Sequence, residues 1–158
     1  MTNDLKIDRL IDAPPELVFD TIVDPAYQDE MFAVALEGWA VKRFEIDLRV
    51  GGTWILQAGP RDGSADDDVI TSVFTEVDRP RRLAYDATMY IGEWGQTVTY
   101  AAAITFEDQN GKTLLTLVQT GFETEKLRDA FESGMPGWAD SIQHVSEARA
   151  ASARGAGK

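Results

Sequence analysis

From about Val41 to Leu117 the apolar residues recur every second position, and outside that stretch they recur every three or four. Phe44, Ile46, Leu48 and Val50 alternate with Arg43, Glu45, Asp47 and Arg49, the pattern of a strand with one wet face. Gly51-Gly52 makes a tight turn, and Trp54 and Leu56 continue on the next strand. After the loop Gly59-Pro60-Arg61-Asp62-Gly63-Ser64 comes a further alternating set, Val69, Thr71, Val73, Thr75 and Val77, halted by Arg79-Pro80. Leu83, Tyr85, Ala87 and Met89 follow, then the loop Gly92-Glu93-Trp94-Gly95, then Val98, Tyr100, Ala102, Ile104 and Phe106. Asn110-Gly111 is a hairpin turn leading into Leu115 and Leu117. About six antiparallel strands in a row, with helices confined to the two ends, predict an α+β fold with its helices on one side of the sheet.

The ends supply those helices. Leu5, Ile7, Arg9 and Ile11 outline a first strand. Pro14 or Pro15 suits a first helical turn, where the missing N–H has no partner to lose. Val18, Phe19 and Ile22 share one face of that helix, Asp24-Pro25 ends it, and Met31, Phe32, Ala35 and Leu36 form the stripe of a second. Beyond Gly121, Leu127, Ala130 and Phe131 share a face, and Trp138, Ile142 and Val145 resume it. A helix from about Glu123 to Ala148 is expected, bent or broken at Gly134–Gly137 because Pro136 lacks a donor. Residues 1–149 read as one domain and 150–158 as a flexible tail.

Composition excludes several functions. The 27 acidic residues outnumber the 15 basic ones, giving a formal charge of -12 that repels phosphate backbones, so nucleic acid is not an expected partner. No cysteine is present, which removes disulfides and thiolate metal sites and fits a cytoplasmic protein. No segment is apolar for long enough to insert in a membrane. Phosphate-loop, dinucleotide and paired-histidine zinc motifs are missing, so neither cofactor nor metal is expected. The single histidine, His144, falls off the Trp138–Ile142–Val145 stripe near Asp140 and Glu147, and is expected to be solvated and dispensable. Asp66-Asp67-Asp68 lacks calcium-loop spacing and reads as an exposed hairpin tip. Asp47 and Arg49 point to the wet face as a surface pair.

Trp54, Tyr85, Tyr100 and Trp138 lie on the apolar side of their segments. Pattern alone favours core; against that, tyrosine and tryptophan carry polar ends that need partners when buried, as in a small-molecule cavity. Trp94, between Gly92 and Gly95, suits a cavity mouth, a lid or a contact with a second subunit, so a homodimer stays open.

The order of these segments resembles a known family. Ile11-Asp12-Ala13-Pro14-Pro15-Glu16-Leu17-Val18-Phe19-Asp20 is followed by Asp24-Pro25, then Asp47-Leu48-Arg49-Val50-Gly51-Gly52-Thr53-Trp54, Arg79-Pro80-Arg81-Arg82-Leu83-Ala84-Tyr85, and a helix opening at Gly137-Trp138. Over residues 5 to 148 the chain is similar to the START-like helix-grip superfamily (SRPBCC), in the branch named for the activator of the heat-shock-protein-90 ATPase. The resemblance implies a curved sheet of six to seven strands around the C-terminal helix, with a cavity between them. With the apolar register it implies a lining of Trp54, Tyr85, Met89, Tyr100, Leu117, Trp138 and Ile142. The implied partner is a small hydrophobic or aromatic metabolite. The alternatives are a cyclase- or hydrolase-like enzyme with Tyr85 or Tyr100 as proton donor, and a chaperone-associated module. Two departures, Met31-Phe32 in place of the tryptophan common there and Thr71-Ser72 in place of a glycine, alter the cavity floor and mouth.

Overall fold

The computed structural model describes residues 4–156. Its elements are β1 (Leu5–Ile11), α1 (Pro15–Val23), a single 3-10 turn (Pro25–Tyr27), α2 (Gln28–Ala35), β2 (Trp39–Ile46), β3 (Thr53–Pro60), β4 (Asp68–Asp78), β5 (Arg82–Ile91), β6 (Gln96–Gln109), β7 (Lys112–Thr120) and α3 (Glu125–Ala156). All seven strands form one antiparallel sheet in the order β1-β7-β6-β5-β4-β3-β2. Neighbours in sequence are neighbours in the sheet except β1, which crosses to pair with β7, Leu5 opposite Gln119. The sheet curves and the long helix is held against it.

Local chemistry sets the helix ends. Pro15 opens α1, and the Asp24 carboxylate accepts the Ala26 N–H at 2.9 Å to cap the turn that leads into α2. Thr124 Oγ1 accepts the Leu127 N–H at 3.1 Å and caps α3. Pro136 does not break α3, which runs unbroken from Glu125. The proline and Glu132 lie on a solvent-exposed stretch, where water can pair the carbonyl that the proline leaves free.

Nor does the helix stop near Ala148. Residues 150 to 156, expected as a tail, continue it. Ala139, Ile142, Val145 and Ala150 form one buried stripe. Arg149 lies over the Tyr27 ring at 3.9 Å and donates to Thr21 Oγ1 at 2.7 Å, fixing this end of α3 to α1 and the turn after it.

Two strand assignments differ from expectation. β2 ends at Ile46, and Leu48 and Val50 are exposed in the turn that follows. That turn needs its glycines: Gly51 has φ of 83°, and a Cβ on Gly52 would lie 2.1 Å from the Asp47 carbonyl oxygen. On β4 the inward side is Ser72 and Phe74, while Val73 is 43% exposed. A register shift between Phe74 and Glu76 reverses the alternation, so the apolar set from Val69 to Val77 does not share one face.

Candidate functional site

The space beneath α3 follows from the residues that fail to fill it. Across the sheet, Trp54 pairs with Ser72, Ser72 with Ala87, and Ala87 with Tyr100. The next row is Phe74, Tyr85, Ala102 and Gln119. In the first row rings stand at the flanks with Ser72 and Ala87 between them. In the second the rings of Phe74 and Tyr85 are followed by the smaller Ala102 and by Gln119. Facing them, α3 turns Ala130, Ser133, Gly134, Gly137 and Ser141 inward, a stripe at i, i+3, i+4, i+7 and i+11. Interiors are normally packed to crystal density. Small residues on both opposed surfaces leave instead a cavity of about 550 Å³.

Stacking holds the walls. Trp54 lies parallel to Phe74 at 5.7 Å and edge-on to Tyr85 at 5.3 Å. Tyr100 stacks on Phe122 at 5.4 Å and meets Phe131 of α3 at 5.2 Å. All four tryptophans of the chain, Trp39, Trp54, Trp94 and Trp138, line the cavity. On the α2 side the wall is Met31, Phe32, Ala35 and Leu36.

Within this apolar lining are unsatisfied polar atoms. Among the described residues, Trp54 Nε1 and Gln119 Oε1 are buried without a hydrogen-bond partner, and both residues are on the cavity wall. A third such atom, Ser146 Oγ, is elsewhere on α3. Burial raises the pKa of both tyrosine hydroxyls, Tyr85 well above its ordinary value and Tyr100 to about 12. Each therefore remains a neutral phenol at physiological pH, able to donate a hydrogen bond but a weaker acid than free tyrosine.

The mouth is acidic. Asp68 and Glu93 line it beside Trp94, which is 46% exposed. Asp68 Oδ1 accepts the Gly92 N–H at 2.8 Å, and a Cβ at Gly92 would strike the Asp66 carbonyl oxygen at 2.1 Å. Desolvation raises the Asp68 pKa, with the charges of Glu93 and Asp67 adding to it. Asp67 is lowered, chiefly by its hydrogen bonds from Lys42 Nζ at 2.6 Å and Gln57 Nε2 at 2.8 Å. The acidic run is thus not a free hairpin tip: Asp66 is exposed, Asp67 is tied to β2 and β3, and Asp68 begins β4. Asp47 and Arg49 form an exposed pair at 2.8 Å, and His144 is exposed on the outer side of α3. Among the described residues no group of three or more His, Asp or Glu side chains is placed to hold a metal.

Of the seven residues expected at the site, Trp54, Tyr85, Met89, Tyr100 and Trp138 line the cavity. Leu117 and Ile142 do not. They are 1% and 0% exposed and belong to the core cluster. Sequence reasoning missed Trp39, Asp68 and Gln119, and met Ser72 only as part of the Thr71-Ser72 departure from the family pattern. Period two was the available signal: Asp68 and Ser72 are in phase with Phe74, and Gln119 with Leu115 and Leu117.

A curved antiparallel sheet gripping a long C-terminal helix over a cavity defines a helix-grip protein. The sequence profile of the family described as "Activator of Hsp90 ATPase homolog 1-like protein" matches residues 12–147, and the chain belongs to that family. Solved structures share the fold. A Chromobacterium violaceum protein superposes with a TM-score of 0.77 at 21% identity, covering 92% of this chain and 98% of its own. A Mycobacterium smegmatis protein gives 0.74 at 19%, covering 96% and 93%. The AHSA1-like protein from Aeromonas hydrophila gives 0.70 at 25%, covering 92% and 94%. No curated protein matches the sequence. Among the described residues no helix is long and apolar enough to cross a membrane.

Proposed function

We propose that the chain binds a small hydrophobic or aromatic molecule in the cavity between the sheet and helices α2 and α3. The observation that carries this reading is the pair of small-residue surfaces, sheet and helix, that hold open about 550 Å³ between walls bearing all four tryptophans. A volume of this size suits a drug-sized ligand, which pockets lined by apolar side chains with few polar groups commonly bury. Trp54, Tyr85, Met89, Tyr100 and Trp138 supply the apolar contacts. The Gln119 carboxamide, the Trp54 indole N–H and the tyrosine hydroxyls orient whatever polar group the ligand carries, since a partner in the ligand relieves atoms that the protein leaves unpaired.

The test is titration of the purified protein with a neutral environment-sensitive dye such as N-phenylnaphthylamine, with native mass spectrometry for any molecule already carried. Saturable one-site fluorescence enhancement is expected. Ser72→Leu, which builds a larger side chain on the cavity floor, should reduce it while leaving the melting temperature equal or higher, because a void is being filled. Absence of saturable binding by folded protein, or undiminished binding by the Ser72→Leu variant, overturns the reading.

A further inference from the structure

Among the described residues that line the cavity, the charged side chains are Asp68 and Glu93, and both are acidic. Lys42, off the cavity wall, is engaged by Asp67 at 2.6 Å. Asp68 has the Gly92 N–H as its hydrogen-bond partner and faces the charges of Glu93 and Asp67. Deeper in the cavity, Gln119 is 6% exposed and keeps an unpartnered acceptor oxygen. Indole rings carry negative electrostatic potential on their faces, and four tryptophans line the same space. Carboxylates, indole rings and a free acceptor all favour positive charge, and among the described lining residues no basic side chain is present to hold an anion.

We infer that the ligand is cationic: an aromatic or aliphatic body seated among the rings, ending in a protonated amine at the mouth between Asp68 and Glu93. This rests on the binding reading above and narrows its chemical class. An ammonium supplies the missing counter-charge for two carboxylates that now repel each other, while its hydrocarbon body takes the apolar volume. Apolar anions such as fatty acids are disfavoured by the same charges.

Three probes of matched shape test it by calorimetry: naphthylethylammonium, naphthylethanol and naphthylpropionate. The amine is expected to bind about tenfold more tightly than the alcohol, and the carboxylate more weakly than either. Salt should narrow the spread. In Asp68→Asn, which keeps an oxygen for the Gly92 N–H, and in the exposed-site variant Glu93→Gln, the amine-to-alcohol ratio should fall toward one. If the alcohol binds but the amine gains nothing over it, or the carboxylate equals the amine, or both variants keep the wild-type ratio, the cation assignment fails and the binding reading stands. If none of the three binds to the folded protein, both fail.

Discussion

Replacing Trp138 by alanine separates a cavity wall from an ordinary core. A fully buried aromatic truncated to alanine typically costs ~3–5 kcal/mol, part of it for the void left behind. Trp138 is half-buried and borders the existing cavity. If roughly half of its ~200 Å² packs on protein, the lost burial is worth ~2.5 kcal/mol at ~25 cal/mol per Å². Alanine returns ~0.5 kcal/mol in helix propensity, and the vacated space joins a void already open to water. The net loss is therefore about 2 kcal/mol, a fall of roughly 4–8 °C for a domain of this size. Phe19→Ala is the control: Phe19 is 0% exposed, packs on Phe106 at 5.2 Å and is not on the cavity wall, so it should lose about 4 kcal/mol. Dye affinity should fall roughly fivefold to tenfold in Trp138→Ala, the loss of one aromatic contact, and stay at the wild-type value in any Phe19→Ala that remains folded. Melting scans and dye titrations of both variants decide it. Unchanged dye binding in Trp138→Ala, or a melting drop as large as that of Phe19→Ala, would refute the placement of Trp138 on a ligand-binding wall.

Three further expectations follow from particular residues. Gly134 sits inside α3 with nothing within 4 Å of a built Cβ, so Gly134→Ala should raise stability by about 0.5–1 kcal/mol in chemical denaturation. The folded-state pKa of Asp68 is raised above its ordinary 3.8, so the native state holds this proton more tightly and ionisation of Asp68 destabilises the fold. Asp68→Asn should therefore be the more stable protein at neutral pH, and its advantage should disappear as pH falls below the raised value toward 3.8; denaturation midpoints across that range show it, and an advantage that grows on acidification contradicts it. His144→Ala should leave the melting temperature and dye affinity unchanged, because the ring is exposed, off the buried stripe of α3 and not on the cavity wall.

The sheet was legible because its strands follow one another through hairpins and most alternate cleanly. Leu83, Tyr85, Ala87 and Met89 point inward as their spacing requires, as do Val98, Tyr100, Ala102, Ile104 and Phe106. Failures came where alternation was broken by geometry that composition does not reveal. The register shift after Phe74 placed Val73 outside and Ser72 inside, against hydrophobicity. Leu48 and Val50 continue the phase of Phe44 and Ile46 but belong to a turn that closes on Gly52. At the site, rings were readable by register, whereas Leu117 and Ile142 share that register and are core. Register says which face a side chain is on; whether another side chain meets it there depends on the opposite surface.

That opposite surface also explains how a proline-containing segment with two glycines remains helix and yet looks like a break in sequence. Gly134 and Gly137 are helix-weakening by about 1 kcal/mol each relative to alanine, and Pro136 costs more. At Gly137 a Cβ would sit 3.8 Å from the Ala35 carbonyl oxygen of α2, an ordinary van der Waals contact, so the approach of α2 does not demand a glycine. At Gly134 no neighbour demands it. Packing therefore requires neither glycine, and both face the cavity together with Ala130, Ser133 and Ser141. On the sheet below, Ser72 occupies a central buried position on the cavity wall where valine or isoleucine would add strand propensity and burial. A sequence optimised for stability alone would enlarge these residues on both surfaces. Their small size gives up stability along one continuous volume, and the volume they leave open is the one that Trp39, Trp54, Trp94 and Trp138 surround.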